Sequence, residues 1–408
     1  MNILVIGSGG REHALAWKIR QSPGVHVLSA PGNPGMAACG TCVEVKGSYL
    51  DVAESVGAEL TVVGPEAPLV AGVVDAFREA GKWIVGPTQA NARLEGSKIF
   101  AKDFFKRHRI PTAEFVSVEN VDDAKKALGR FRFPVVVKAD GLAAGKGVVI
   151  AQDRAEAERA IEALGPKLVI EEFLEGEEVS FIALCDGRDV LPLAPTQDHK
   201  RVNDGDTGPN TGGMGAYCDA GILTEAQTER ILDTVIRPAV EATQFTGFLY
   251  AGLIMTADGP KVLEFNVRLG DPETQPLMHR MTTDFTPVLE AAAHGELGRC
   301  KLEWRRGASV CVVMASGGYP GSYPTGVAIH GIEAAEATGA TVFHAGTRAV
   351  GQGIETSGGR VLGVTAGGDN LAVAIDRAYE AVGKIEFAGM HYRGDIGSKG
   401  LARSQGSA

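Results

Sequence analysis

In the segment KVLEFNVRL (261–269), Glu264, Asn266 and Arg268 alternate with Leu263, Phe265 and Val267. Successive side chains of a strand point to opposite faces, so a strand here has one polar face and one face that buries itself. The polar face offers a carboxylate, an amide carbonyl and a guanidinium. The two oxygen donors suit Mg²⁺, which is normally held by one or two protein groups together with phosphates and water. Arg268 can clamp phosphoryl or acyl oxygens on which charge develops during transfer. Alternation by itself fits a solvated edge strand equally well. Upstream lie three cations suited to a triphosphate, Lys98, Lys138 and Lys146. Between them and the polar face, IEEFLEGEE (170–178) has the character of a hinge against a purine base. Glu171, Phe173 and Leu174 can offer groups to the base with Glu172 beside them, and Glu178 can accept from ribose hydroxyls.

Lys138 and Lys146 belong to KADGLAAGKGVVI (138–150), which has the look of a phosphate loop. A Walker A loop requires four residues between its first glycine and the Gly-Lys pair, followed by Ser or Thr. Here three residues separate Gly141 from Gly145, and Gly147 follows Lys146. The flanks, FPVVVK and GVVIA, are both apolar and β-branched, which predicts strand, glycine loop, strand. Such a hairpin tip can fold its N–H groups, those of Gly145 and Gly147 among them, and Lys146 over a triphosphate. An ordinary β-turn on a surface hairpin has the same pattern.

The elements that must position these groups follow from the rest of the chain. The first ninety-odd residues alternate strands (NILVIG, HVLSA, LTVVG, KWIVG) with helices near 11–21, 50–56 and 70–80, which predicts a doubly wound parallel sheet. Ligands of such sheets bind beyond the carboxyl ends of the strands, here the loops GSGGREH, APGNPG and GPEAPL. A dinucleotide is disfavoured: Glu12 stands where the fingerprint needs its third glycine, and no acidic residue ends the second strand. Gly9, Gly10 and Arg11 can receive a single phosphate at a helix N-terminus. A helical stretch (95–108) leads to the hairpin, the helix EAERAIEAL and the strand KLVIEEFL. The polar, glycine-heavy segment 197–217 has a length that, for a loop in a compact domain, usually means function or disorder. A helix near 225–243 precedes the strands YAGLIMT and KVLEFNVRL. From about 299 a third region of strands and turns ends in a helix near 371–382, and no chemistry is read in it. The expectation is a multidomain α/β and α+β chain. It comprises a doubly wound sheet over 1–97, a central domain over 98–296 with a hairpin lid at about 115–180, and a small α/β domain over 297–408.

At 408 residues the chain is too long for one ordinary core. Fractions of 44% hydrophobic and 22% charged residues describe a soluble globular protein of enzyme size. The 50 acidic against 40 basic residues argue against general nucleic-acid binding. MNILVIG starts a strand with no charged leader, and no apolar run is long enough for a bilayer, so the expected location is the cytoplasm without a membrane partner. Of six cysteines only Cys39 and Cys42 form a C-x-x-C, without further ligands or a redox context, and all six read as reduced thiols.

The order of these motifs resembles the ATP-grasp superfamily. Within it, GSGGREHALAW, VVGPEAPLVAGVVD, LEGSKIFAKDF, KADGLAAGKGV, IEEFLEGEEVSF, QDHKR, DTGPNTGGMGAY, GFLYAGL, EFNVRLGDPETQ and GGYPG are similar to the phosphoribosylamine–glycine ligase family of purine biosynthesis, over essentially the whole chain. The resemblance implies that ATP, glycine and 5-phosphoribosylamine give glycinamide ribonucleotide, ADP and phosphate through glycyl phosphate. Such a reaction needs no protein nucleophile. By resemblance Glu264 and Asn266 bind Mg²⁺ or Mn²⁺, and Arg268, Lys138, Asp198 and Lys200 are catalytic. Lys98, Lys138 and Lys146 meet the phosphates. Asp198, Lys200, Arg201, Thr211, Gly212, Gly213, Met214 and Gly215 lie near glycine and the ribosylamine, while Gly9, Gly10, Arg11, Asn33 and Glu66 approach the phosphoribosyl group. A monomer or weak dimer is compatible with this. Two departures stand out. Ile254 and Met255 occupy the place where many ATP-grasp ligases carry a second metal-binding acid, with only Asp258 near, so one protein-bound metal is expected. The connection EALGPKLVIEEF is short for the family, which bears on how far the lid covers ATP. Rival readings are a biotin-carboxylase-like enzyme using bicarbonate, a non-catalytic adenine-nucleotide sensor, and, least supported, a dehydrogenase.

Overall fold

The structure, a computed structural model, describes residues 1–142 and 147–406. Gly145 and Lys146, proposed for the tip of the phosphate hairpin, lie outside the described residues.

The amino-terminal segment folds as a five-stranded parallel sheet. Its strands run in the order Thr41–Cys42, His26–Pro31, Asn2–Gly7, Leu60–Val63, Trp83–Val85. Ile3, Leu4, Val5 and Ile6 are fully buried, as a central strand covered on both faces by helices requires. Strand order reverses at Asn2–Gly7, which pairs with His26–Pro31 on one side and Leu60–Val63 on the other. The loops leaving Asn2–Gly7 and Leu60–Val63 therefore open a crevice, and the helices they lead into, Gly10–Ile19 and Glu66–Val70, carry Arg11 and Glu66 in their first turns.

The expected hairpin is present. Val135–Ala139 pairs antiparallel with Val148–Ala151, with Val135 opposite Ala151 and Lys138 opposite Val148, and Ala139 N–H donates to Gly147 O at 2.8 Å. Leu168–Glu172 and Phe115–Val118 complete a four-stranded sheet. Helices Val121–Ala127 and Arg154–Leu164 pack on it around a small separate core that includes Val135, Val137, Ala157, Ile161, Leu168 and Ile170. The short connection after Leu164 closes directly into the central strand Leu168–Glu172.

The remaining large sheet is antiparallel. It runs Gly259–Asn266, Thr246–Thr256, Glu177–Asp186, Thr196–Asp198, Gly215–Cys218, Ala308–Ala315, Arg360–Gly368, Thr341–His344, with Val190–Pro192 alongside Glu177–Asp186. It continues through the division expected near 297, because Gly215–Cys218 pairs with Ala308–Ala315. The expected helix over 225–243 is one run with a π-helical turn at Leu232–Ile236. Pro238 follows, and because its nitrogen cannot donate, the widened turn accommodates the interrupted ladder.

One detail of Gly259–Asn266 departs from strict alternation. Gly252 pairs with Glu264, but the next residue, Leu253, pairs with Val262, so Leu263 is an extra residue in a β-bulge. The buried set is consequently Val262, Phe265 and Val267, while Leu263 is only partly buried and its carbonyl accepts from Lys138 Nζ at 3.1 Å. The strand also ends at Asn266, so Arg268 stands just beyond it rather than on its face. Leu263→Ala is expected to cost well below the about 2–5 kcal/mol of a core leucine truncation, as equilibrium denaturation would measure. A core-sized loss would place Leu263 back in the packed face.

Candidate functional site

A cavity of about 290 Å³ lies where the crevice of the parallel sheet, the hairpin and the end of Gly259–Asn266 converge. Of the residues singled out in the sequence, Arg11, Glu66, Lys98, Lys138, Gly147, Glu171, Asp198, Lys200, Thr211, Gly212, Glu264, Asn266 and Arg268 line it. They come from segments as far apart in the chain as those of Arg11 and Arg268.

Glu264 makes no side-chain hydrogen bond among the described residues. Burial would push its carboxyl up, but Lys200, Lys138, Lys98 and Arg268 outweigh burial and hold it below the usual carboxylate range. Arg268 is fixed by its neighbours: Nη2 donates to Glu95 Oε1 at 2.8 Å and Asn266 Oδ1 at 3.3 Å, Nε to Glu66 Oε2 at 3.3 Å, and Nη1 to Leu269 O at 3.2 Å. The Glu66 carboxyl is low for an analogous reason, with burial opposed by Arg268 and Arg11. Glu95, more deeply enclosed, is raised by burial in spite of Arg268.

Toward the hairpin, Lys98 Nζ donates to Gly141 O at 2.8 Å. Glu171 lies between Lys102 (Oε2, 2.9 Å) and Lys138 (Oε1, 3.0 Å). The second of these is close enough for an ion pair but not aligned for a hydrogen bond. Burial lowers Lys102 to about 8 even with Glu171 opposing. On the opposite wall Lys200 pairs with Glu178 at 3.0 Å. Burial disfavours the Lys200 charge, yet Glu178 and Asp198 hold it well above the ordinary lysine value. Burial, against the pull of Lys200 and with help from Glu273, Glu178 and Glu264, raises Asp198 to about 7.

Several expected site residues are engaged elsewhere. Glu171, expected to offer a group to the base, has its carboxylate engaged by two lysines. Gly9, expected with Gly10 to seat a phosphate, donates its N–H to Glu12 Oε2 at 2.6 Å, so a carboxylate already caps that helix. Asn33 caps the short helix Pro34–Ala37 through Oδ1, and its amide donates to Ser8 O and His344 O at 2.8 and 2.9 Å. Met214 is fully buried beside Val202 and Ala315. Arg201 Nη1 donates to Gly208 O at 2.7 Å within a local ribbon. Glu172 accepts from Glu114 N–H at 3.0 Å. Phe173, Leu174, Gly213 and Gly215 are not on the cavity wall; Phe173 is exposed.

Other cavity residues escaped the sequence reading. Lys102 follows Lys98 by one helical turn in Lys98–His108, a spacing that signals a shared face. Glu95 lies within LEGSKIFAKDF, and Asp271 and Glu273 lie within EFNVRLGDPETQ, motifs in which none of the three stands out by type or spacing. Tyr250 donates to Glu273 Oε1 at 2.6 Å and joins Ser180 Oγ at 2.8 Å. Arg360 comes from the carboxy-terminal region, in which no chemistry was read.

A cleft between a four-stranded sheet with its hairpin and a large antiparallel sheet, lined by four lysines and by a carboxylate that makes no side-chain hydrogen bond among the described residues, is that of an ATP-grasp protein. The chain superimposes on the biotin carboxylase domain of a Hydrogenobacter thermophilus 2-oxoglutarate carboxylase with a TM-score of 0.73, covering 96% of this chain and 91% of that one, at 19% identity, a likeness of fold. Models of the phosphoribosylglycinamide synthetase family match residues 1–95 (N domain), 96–274 (ATP-grasp (A) domain) and 309–399 (C domain), and the chain belongs to that family. It is 52% identical over 429 residues to the phosphoribosylamine–glycine ligase of Allochromatium vinosum, covering 99% of this chain and all of that one. The crystal structure of the phosphoribosylamine–glycine ligase of Thermotoga maritima superimposes with a TM-score of 0.87 at 33% identity, covering 97% of this chain and 100% of that one. Among the described residues no helix is long and apolar enough to cross a membrane.

Proposed function

We propose that the chain ligates glycine to 5-phosphoribosylamine at the expense of ATP, giving glycinamide ribonucleotide, ADP and phosphate, in the cytoplasm and without a nucleic-acid or membrane partner. The observation that carries this is the ionised Glu264 carboxylate, without a hydrogen-bond partner among the described residues, facing Lys98, Lys138, Lys200 and Arg268 across one cleft. Whole-length similarity to proteins named for that reaction supports the substrates. Residues 98–296 would then bind the nucleotide, 1–97 the phosphoribosyl group, and 297–408 would complete the cleft wall.

Glycine's carboxylate attacks the terminal phosphorus of ATP, the bond to the bridging oxygen of ADP breaks, and glycyl phosphate forms. The amine nitrogen then attacks the acyl carbon, phosphate leaves, and the nitrogen loses a proton. Lys98, Lys102 and Lys138 hold the polyphosphate, and Arg268 meets charge on the transferring group from a position already fixed by Glu66 and Glu95. Asp198, raised to about 7, is placed to exchange a proton with the attacking amine. Glu264 and the Asn266 amide oxygen suit a Mg²⁺ or Mn²⁺ ion, which supplies charge neutralisation on the phosphates.

ADP release should require both ATP and glycine and rise strongly on adding freshly generated phosphoribosylamine. Omitting each component in turn, in a coupled assay, checks this. Equal turnover with bicarbonate in place of glycine would overturn the ligase assignment.

A further inference from the structure

The carboxy-terminal region reaches the cleft through Arg360, at the start of Arg360–Gly368. Its Nη1 donates to Gly212 O at 2.6 Å and to Asp271 O at 2.6 Å, and its Nη2 donates to Asp271 Oδ2 at 3.1 Å. One guanidinium thus ties the glycine-rich loop 211–215 to the turn that follows Arg268. Gly212 is gripped from its other side too, since its N–H donates to Tyr319 Oη at 3.0 Å, and Tyr319 also belongs to the carboxy-terminal region. Both peptide groups flanking that wall residue are therefore held by side chains of the carboxy-terminal region. The tied segments also touch: Gly213 has φ +110°, and a Cβ there would run into Pro272. Thr211, Gly212 and Asp271 all line the cavity. Asp271 is in turn fixed by Gln275, whose Nε2 donates to Oδ1 at 2.8 Å.

We infer that Arg360 is a positioning residue that sets the Gly212–Asp271 wall of the cleft against the amine substrate, with Tyr319 as its second anchor. This rests on the ligase reading above. The donors Arg360 spends on the two loops go to the protein, so its effect runs through the backbone it holds and not through a charge presented to the nucleotide. The nucleotide side of the cleft, Lys98, Lys102 and Lys138, is built on other elements and stands clear of this clamp. Loss of the clamp therefore weakens use of the substrates expected on this wall, the amine among them, and leaves ATP binding alone. A planar fork that spans three acceptors is not reproduced by a lysine's single ammonium, so Arg360→Lys, which keeps the charge, is the informative change.

The test is steady-state kinetics of the full chain with each substrate varied, beside nucleotide binding by calorimetry and thermal unfolding. Arg360→Lys is expected to lower kcat/KM for phosphoribosylamine by roughly 10- to 100-fold, the scale of a small misplacement in a reactive complex. KM for ATP and ADP affinity should stay at wild-type values. Tyr319→Phe, which removes only the second anchor, should shift the same parameter in the same direction by less. A variant that loses ATP and amine efficiency equally, or that keeps wild-type efficiency for the amine, overturns the clamp. Should Arg360→Lys fail to fold, Tyr319→Phe decides alone. Failure of the ligase reading is seen separately, as wild-type ADP release indifferent to glycine and the amine.

Discussion

Arg268→Ala is expected to lower kcat by about 10²- to 10³-fold, the usual loss when a prepositioned donor to developing charge is removed. The expectation comes from how the side chain is held. Four acceptors, on Glu66, Glu95, Asn266 and the Leu269 carbonyl, fix the guanidinium plane before any substrate arrives, so no reorganisation is needed during transfer. Arg268→Lys should recover only part of the rate, because an ammonium cannot satisfy that fork. Stability should fall much less than rate. The Glu95 carboxylate left behind keeps the Val267 N–H at 2.8 Å, and burial already biases it toward the neutral acid, so it takes a proton instead of remaining as a buried bare charge. Single-turnover kinetics together with chemical denaturation separate the two effects. Wild-type kcat in the alanine variant would reduce Arg268 to a structural partner of Glu66 and Glu95.

The sequence reading succeeded where the signal is local and failed where it depends on a partner strand. The hairpin was legible because both flanks of its glycine loop are β-branched. The polar face of Glu264 and Asn266 was legible from period two. The bulge at Leu263 was not, because it exists only in the register against Thr246–Thr256. Glu171 has the residue type and spacing of a base-binding hinge. Its engagement by Lys138 depends on Leu168–Glu172 lying beside Val135–Ala139, where Glu171 stands opposite Val136, and its engagement by Lys102 on a residue of the helix Lys98–His108. Gly9 and Asn33 stand in the right loops, but a carboxylate one turn along and a capping contact occupy their polar atoms. Arg360 carried no signal at all, since an arginine opening a strand after a turn is ordinary until the sheet brings it back to the cleft.

Glu171→Gln is expected to destabilise the nucleotide-free protein by about 3–5 kcal/mol, the scale for removing one partner of a buried ion pair. Its carboxylate is the counter-charge to two lysines, and Glu171 and Lys102 are almost wholly enclosed, with side-chain exposures of 2% and 3%. Glutamine keeps the shape and can still accept from Lys102, but it leaves two ammonium groups with no opposing charge between them. The pH dependence gives the sign. In the folded protein Lys102 already titrates at about 8, because burial outweighs Glu171, against about 10.4 in an unfolded chain. Between those values the unfolded chain binds more protons, so this group makes stability rise with pH across that window. Without the carboxylate the folded value drops further, and the rise should begin in the neutral range. Denaturation at pH 7 and pH 9 should therefore show the variant gaining more from the higher pH than the wild type does. If Lys102 and Lys138 also meet the triphosphate, ATP restores the missing negative charge and should raise the melting temperature of Glu171→Gln by more than that of the wild type. Stability indifferent to the substitution would mean that the lysines are neutralised by other groups. A larger response to pH without a larger response to ATP would keep Glu171 as their counter-ion but remove the phosphates from these two lysines.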